Sequence, residues 1–104
     1  MDYKVVWTRS ARQDLRDIAG FISRDNPAAA LKLGDAIFAS VEQLQQFPRL
    51  GRVVPERATP NLREIIHRRY RIVYRVREDR NTVEILRVWH GARGEPVIPE
   101  TSEL

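Results

Sequence analysis

The chain has 104 residues, a length that predicts a single domain over residues 1–104 built around one hydrophobic core. It contains no cysteine and two histidines, His67 and His90, which excludes disulfides, thiol nucleophiles and cysteine- or histidine-rich metal sites. The N-terminus lacks the apolar run of a signal peptide, and no stretch reaches the length of a membrane span. We therefore expect a cytoplasmic protein without a metal or cofactor.

The charge is distributed unevenly along the chain. Residues 1–48 carry six basic and six acidic residues, residues 49–93 carry twelve arginines and five acidic residues, and residues 94–104 carry three acidic residues. The basic excess of the middle segment thus consists of arginine alone. Because the planar guanidinium suits phosphate and carboxylate groups, this segment predicts an anion-binding surface, with a solvated basic sheet edge as the alternative.

The first half predicts one strand followed by two helices. Tyr3–Trp7 alternates as a strand, and Thr8 or Ser10 then caps a helix that ends at Asp25-Asn26-Pro27. Asn26 is a favourable N-cap for the second helix, which runs to Gln46 with proline in its first turn. The predicted packing stripes are Ala11, Leu15, Ile18 and Ile22 on the first helix and Ala30, Leu33, Ile37, Val41 and Leu44 on the second. The short connection predicts an antiparallel helical hairpin across the sheet.

The second half predicts a proline-rich loop and three strands. Phe47-Pro48 ends the second helix, the loop reaches Asn61, and strands follow over residues 62–67, 70–77 and 82–90. The acidic tail, residues 94–104, is expected to lie draped over the protein or to fray. The order predicts an α+β fold, β-α-α-β-β-β, with an antiparallel sheet and the α-helical hairpin packed on one face.

Alternation in the last two strands predicts which face each side chain occupies. If Arg77 pairs with Thr82, a constant index sum places Arg75 opposite Glu84, Val73 opposite Leu86 and Arg71 opposite Val88. The charged face would then carry Arg71, Arg75, Glu84 and His90, and the core face Tyr70, Ile72, Tyr74, Val76, Val83, Ile85 and Trp89. One face is thus predicted to be core and the other charged.

Taken in order, several motifs resemble the RelE/ParE superfamily of bacterial toxins over about residues 3–96. They are WTRSARQDLRDI in the first helix, DNPAAA at the helix turn, FPRLGRVVPE after the second helix, and LREI, YRIVYRV and ILRVWHGAR in the sheet. The resemblance implies the toxic half of a type II toxin–antitoxin pair. Its partner would be a cognate antitoxin that covers the toxin with helices or an added strand, forming an oligomer with it.

One branch of this superfamily resembles RelE and cleaves messenger RNA in the ribosome. Glu56, Arg71 and His90 match the positions of a glutamate, an arginine and a histidine found in members of that branch. Such a trio would suit metal-free RNA cleavage: one base takes the 2′-hydroxyl proton, the guanidinium stabilises the phosphorane, and the other base protonates the leaving oxygen. Under this alternative the protein is an enzyme.

The other branch resembles ParE and poisons DNA gyrase without proton transfer by the toxin. The lysines of lysine-dependent RNases are missing, no tyrosine follows His90, and the long helical hairpin resembles gyrase-targeting members. This mode is therefore favoured over RNA cleavage. The residues expected to bind the target or the antitoxin are Arg68, Arg69, Arg75, Arg77, Arg87 and Arg93. A third hypothesis is a non-catalytic nucleic-acid-binding module that uses the arginine surface alone.

Overall fold

The computed structural model describes residues 2–99, which form two helices packed on one face of a five-stranded sheet. The elements are β1 (Lys4–Trp7), α1 (Arg9–Ser23), α2 (Pro27–Glu42), β2 (Arg52–Val53), β3 (Leu62–His67), β4 (Tyr70–Arg77) and β5 (Thr82–His90). The strand order is β1-β5-β4-β3-β2. The α+β class, the element order and the helical hairpin are confirmed. The sheet is mixed rather than wholly antiparallel because β1 runs parallel to β5, and β2, inside the predicted loop, was not foreseen.

Side-chain caps set the start of both helices. The Thr8 hydroxyl accepts a hydrogen bond from the Ala11 amide at 3.3 Å, so Thr8 rather than Ser10 is the N-cap of α1. The same hydroxyl donates to the Ile85 carbonyl at 2.7 Å and thereby fixes the start of α1 against β5. Asn26 caps α2 by accepting from the Ala29 amide at 3.1 Å, as predicted.

The main core lies between the helices and the sheet. Its buried members are Ala11, Ile37, Val41, Leu44, Ile72, Tyr74, Val76, Val83, Ile85 and Val88, with Leu15, Ile18, Leu33 and Tyr70 packed around them. Seven of the nine predicted stripe residues therefore belong to this core, whereas Ile22 and Ala30 border surface cavities. Among residues 2–99, no helix combines the length and the apolar composition needed to cross a bilayer.

A β-bulge at Leu86 changes the register of β5. Tyr74 pairs with Ile85, as predicted, but Val73 pairs with Arg87, so Leu86 has no residue opposite it. The bulge places Leu86 and Arg87 on the same face of the sheet, the one turned away from the helices, here called the open face. Strict alternation would have driven the Arg87 guanidinium into the apolar core, which is energetically costly for a charged group.

Beyond the bulge, each residue of β5 lies on the face opposite to the predicted one. Arg71 pairs with Trp89, which puts Trp89 on the open face, and Tyr70 pairs with His90, which puts His90 on the helix face. The predictions of Trp89 in the helix-side core and of His90 beside Arg71 are therefore wrong. A slip of one residue inverts every later side chain, because the period along a strand is two.

The open face also carries a second, smaller apolar cluster, so it is not purely charged as predicted. The cluster consists of Val54, Leu62, Val73, Leu86 and Ile98. The loop after β2 supplies Val54, and the C-terminal stretch 94–99 supplies Ile98. Arg87 donates to the Val97 carbonyl at 3.0 Å and Arg75 to the Pro99 carbonyl at 3.1 Å, which holds this stretch across the sheet. The rest of the predicted tail, residues 100–104, lies outside the described residues.

Candidate functional site: a neutralised arginine network and an apolar groove

Arg71, on the open face of β4, lies between two carboxylates. Its Nε donates to Glu64 at 2.6 Å, and its two terminal nitrogens donate to the Glu56 oxygens at 3.0 and 2.8 Å. Glu64 is buried, with 1% of its surface exposed, and also pairs with Arg52 at 2.7 Å. The side chain of Arg71 is only 12% exposed. Carboxylates of the same chain thus neutralise this guanidinium from two sides.

The ion pair with Arg71 favours the ionised form of Glu56. The hydrogen bonds from Arg71 lower the pKa of Glu56 to about 2. The hydrogen bonds that Arg71 donates to Glu56, followed by the one that it donates to Glu64, raise the pKa of Arg71 above its usual value. A carboxylate with so low a pKa is a poor proton acceptor near neutral pH, because an effective general base has a pKa close to the working pH.

His90 lies on the other side of the sheet from Arg71. Its ring meets the Tyr70 ring edge-on, with 5.3 Å between the centroids, and its Nδ1 accepts a hydrogen bond from the Ala92 amide at 3.0 Å. It borders a small cavity together with Ile18 and Phe21 of α1. The structure therefore brings Glu56 to Arg71 but keeps His90 away from both.

The other predicted anion-binding arginines fall into two groups. Four are engaged within the chain: Arg77 pairs with Glu84 at 3.2 Å, Arg87 pairs with Asp14 at 2.8 Å, Arg75 donates to the Pro99 carbonyl, and Arg93 stacks on the Trp89 ring at 3.8 Å. The remaining two, Arg68 and Arg69, are exposed in the turn between β3 and β4. Sequence reasoning found the arginines but missed the partners Glu64 and Asp14.

A large apolar groove lies on the opposite flank of the molecule, between β1 and the two helices. The groove has a volume of about 780 Å³, and its apolar lining includes Val5, Trp7, Leu15, Ala19, Ala30, Leu31 and Phe38. Leu31 is 72% and Phe38 47% exposed, although both are large hydrophobic residues. Lys4, Arg12, Arg16 and Asp35 also border the groove, so its charged residues are mainly basic. Within residues 2–99 no strand pairs with the outer edge of β1.

Comparison with known proteins identifies the family. Residues 5–94 match the family described as the ParE toxin of the type II toxin–antitoxin system parDE. The chain belongs to the ParE toxin family. A curated relative of this ParE-family toxin, "Putative toxin Y4kP" of Sinorhizobium fredii, is 32% identical over 95 residues, covering 91% of this chain and 95% of the relative.

Solved structures resemble the ParE-family toxin over most of its length. A chain of the chromosomal ParDE toxin–antitoxin system from P. aeruginosa has a TM-score of 0.68 and 28% identity, covering 85% of this chain and 95% of that one. A chain of the toxin–antitoxin complex RelBE2 from Mycobacterium tuberculosis has a TM-score of 0.60 and 27% identity, covering 86% and 99%. A mutant of E. coli RelE in the free state has a TM-score of 0.61 at 18% identity, covering 90% and 88%, which shows a shared fold.

The pairing of Glu56 with Arg71 predicts a pH dependence of stability. Because folding lowers the pKa of Glu56 from 4.5 to about 2, its contribution to stability is complete above pH 4.5 and is lost as the pH falls toward 2. Urea unfolding at a series of pH values should show the midpoint falling in this window. The Glu56→Gln variant should show a shallower fall, since it lacks the titrating group. Equal slopes for both proteins would contradict the assignment.

Proposed function

We propose that this ParE-family toxin arrests growth by poisoning DNA gyrase and catalyses no reaction of its own. The supporting observation is that His90 lies apart from Glu56 and Arg71, the two other residues that RNA cleavage would need. Arg71 is held between Glu56 and Glu64, and His90 lies on the other face of the sheet. The similarity to a chain of a chromosomal ParDE toxin–antitoxin system supports the same proposal.

The chemistry of RNA cleavage sets demands that this arrangement does not meet. In-line attack by a 2′-hydroxyl needs a base, an acid and a cation arranged around one phosphate. Here the candidate base has a pKa of about 2, and its oxygens already accept hydrogen bonds from the candidate cation. A poison that acts by binding needs no such arrangement and tolerates a neutralised arginine.

Two single substitutions separate these mechanisms. Glu56→Gln and His90→Gln should leave growth arrest and gyrase-dependent DNA breakage within about tenfold of the parent protein, because each removes no more than a polar contact. In an RNase, loss of either acid–base group would reduce cleavage by about 10²–10⁴-fold. The measurements are growth after induction, DNA breaks made by purified gyrase with added toxin, and message ends mapped at ribosomes.

The control is circular dichroism of each variant, which verifies that the fold is retained. Ribosome-dependent message cleavage by the parent, with growth arrest abolished in both variants, would contradict the gyrase mechanism and favour an mRNA endonuclease. DNA binding without growth arrest would instead favour a simple nucleic-acid-binding module.

The cognate antitoxin is the expected partner of a toxin of this family, and we propose the apolar groove beside β1 as its main docking surface. Exposed Leu31 and Phe38 offer apolar anchor points, and the unpaired edge of β1 offers backbone groups for an added strand. The mainly basic border of the groove suits an acidic segment. Since much of the open-face arginine charge is already neutralised, the antitoxin does not need to cover that face.

Leu31→Asp should weaken antitoxin binding by about 100-fold, a loss typical of a central apolar anchor. The change should leave the fold intact because Leu31 is 72% exposed. Isothermal titration with the cognate antitoxin measures the effect. Phe21→Asp on α1 is the matched control, since Phe21 is 64% exposed but does not border the groove. Equal weakening by both changes would show that the groove has no special role.

A further inference from the structure

The two-residue turn between β3 and β4 combines backbone strain with exposed charge. His67 pairs with Tyr70, so Arg68 and Arg69 form the whole connection. Arg68 has φ +54°, a left-handed conformation that glycine or asparagine adopts more easily in such turns. Both arginines are exposed and pack into no core. Strained residues persist where a function requires the side chain, so the arginine at this position calls for a functional explanation.

Other basic groups surround this turn. A cavity of about 230 Å³ between the turn and α2 is bordered by Ala29, Lys32, Leu33, Ala36, His67 and Arg68. We call Lys32, His67, Arg68 and Arg69 the basic turn. Two elements distant in sequence thus place a lysine, a histidine and an arginine around one concave site.

The basic turn differs from the open face in its charge balance. Carboxylates of the chain pair with Arg49, Arg52, Arg71, Arg77, Arg80 and Arg87. In residues 2–99, by contrast, Lys32, Arg68 and Arg69 take part in no ion pair. Positive charge that is cancelled over much of the sheet therefore remains available at this turn.

We propose that the basic turn binds the phosphate backbone of double-stranded DNA. Phosphate groups are bound through charge and hydrogen bonds from arginine and lysine, and such contacts position a protein on DNA without reading sequence. The basic turn is distinct from the apolar groove because the two lie against different faces of α2, with Lys32 and Ala36 bordering the basic turn and Leu31 and Phe38 bordering the groove. This proposal extends the gyrase hypothesis, because it gives the toxin a direct contact with the DNA on which gyrase acts.

The test measures binding of the purified toxin to a fluorescent 20-base-pair duplex by anisotropy, between 50 and 200 mM salt. In Arg68→Gly/Arg69→Ser, affinity at 100 mM salt should fall by roughly tenfold for each phosphate that the turn no longer binds. The slope of log affinity against log salt should become shallower by about 0.9 for each such phosphate. Arg80→Ser is the matched control for Arg69→Ser alone, because each removes one positive charge from an exposed turn, at opposite ends of β4. Arg69→Ser should weaken binding, whereas Arg80→Ser should leave the affinity within about twofold of the parent.

The left-handed φ of Arg68 supplies a second readout. Because glycine adopts this conformation without a steric penalty, Arg68→Gly should melt at the same temperature as the parent or higher while binding DNA more weakly. Arg68→Lys keeps the charge and should retain most of the affinity. Weaker DNA binding in a protein that is no less stable cannot be attributed to unfolding.

Equal weakening of DNA binding by Arg80→Ser and Arg69→Ser would overturn the proposal, and so would an unchanged salt slope in the double variant. A third contrary result is tighter binding of polyglutamate than of DNA, with the same dependence on Arg68 and Arg69. The last would assign the turn to an acidic peptide. The duplex assay contains no gyrase, so its failure is distinct from failure of the proposed function, which the DNA-breakage assay measures separately.

Discussion

Glu64→Ala should lower the free energy of unfolding by about 2–3 kcal/mol, because the Nε of Arg71 loses its acceptor in a mostly buried position while Glu56 still pairs with the terminal nitrogens. Glu64 is 1% exposed and lies within 2.7 Å of nitrogens of both Arg52 and Arg71. The loop that carries Glu56 should loosen as well, since Arg71 would lose the partner that orients its guanidinium. Urea unfolding of parent and variant at neutral pH measures the effect.

Glu78→Ala is the control for Glu64→Ala. It removes the carboxylate of the Arg49–Glu78 pair, whose side chains are 41% and 59% exposed, and exposed pairs contribute about 0–1 kcal/mol. Glu64→Gln should fall between the two, because the amide keeps the shape and one acceptor. A cost below about 1 kcal/mol for Glu64→Ala would mean that the network contributes no more to stability than a surface ion pair.

Gly51→Ala should be the second severe change, with a loss of about 3 kcal/mol. A methyl group at this position would meet the backbone of Glu64, with its carbonyl carbon at 2.8 Å, and the Tyr74 hydroxyl oxygen at 2.9 Å. The Gly51 amide also donates to that hydroxyl at 2.9 Å. Because the obstacle is largely backbone, β2 and β3 must separate to make room. Thermal unfolding followed by circular dichroism reports the loss.

Gly20→Ala is the comparison for Gly51→Ala, because it should stabilise the protein. A methyl group at Gly20, inside α1, meets no atom within 4 Å. Alanine favours the helix by about 0.8–1.0 kcal/mol over glycine, so this variant should be more stable than the parent. If Gly51→Ala melted as high as Gly20→Ala, the close approach of β2 to β3 would not constrain the fold.

Local sequence patterns predicted the helices and most of the strands, whereas features that depend on pairing between distant segments were not predicted. The helix stripes and the Asn26 cap follow from residues close in sequence. The bulge at Leu86 does not, because it is accompanied by contacts distant in sequence, such as the ion pair of Arg87 with Asp14, 73 residues away. The parallel pairing of β1 with β5 also joins segments that are distant in sequence, and the alternation in Tyr3–Trp7 does not reveal it.

In the candidate site, too, the sequence predicted the residues but not their distant partners. Glu56, Arg71 and the arginine excess are readable in the sequence, and Glu56 does reach Arg71. Whether an arginine is available or neutralised depends on partners such as Glu64. In LREI, Glu64 stands between Arg63 and Ile65, and nothing in that pattern marks it as a buried residue. The signal that could have found it is the two-residue turn at Arg68-Arg69, which sets the register of β3 against β4.

The pairing of β1 with β5 has a consequence for the order of events during synthesis. Lys4 is synthesised well before Thr82, its partner in the sheet, and Trp7 well before Ile85. At about 5–20 residues per second, the ribosome takes roughly 4–16 seconds to add the intervening chain. β1 therefore stays without its partner until the ribosome has made β5. The groove that we assign to the antitoxin, whose wall is β1, cannot be complete before β5 joins the sheet, so the nascent toxin offers the antitoxin no finished docking surface until then.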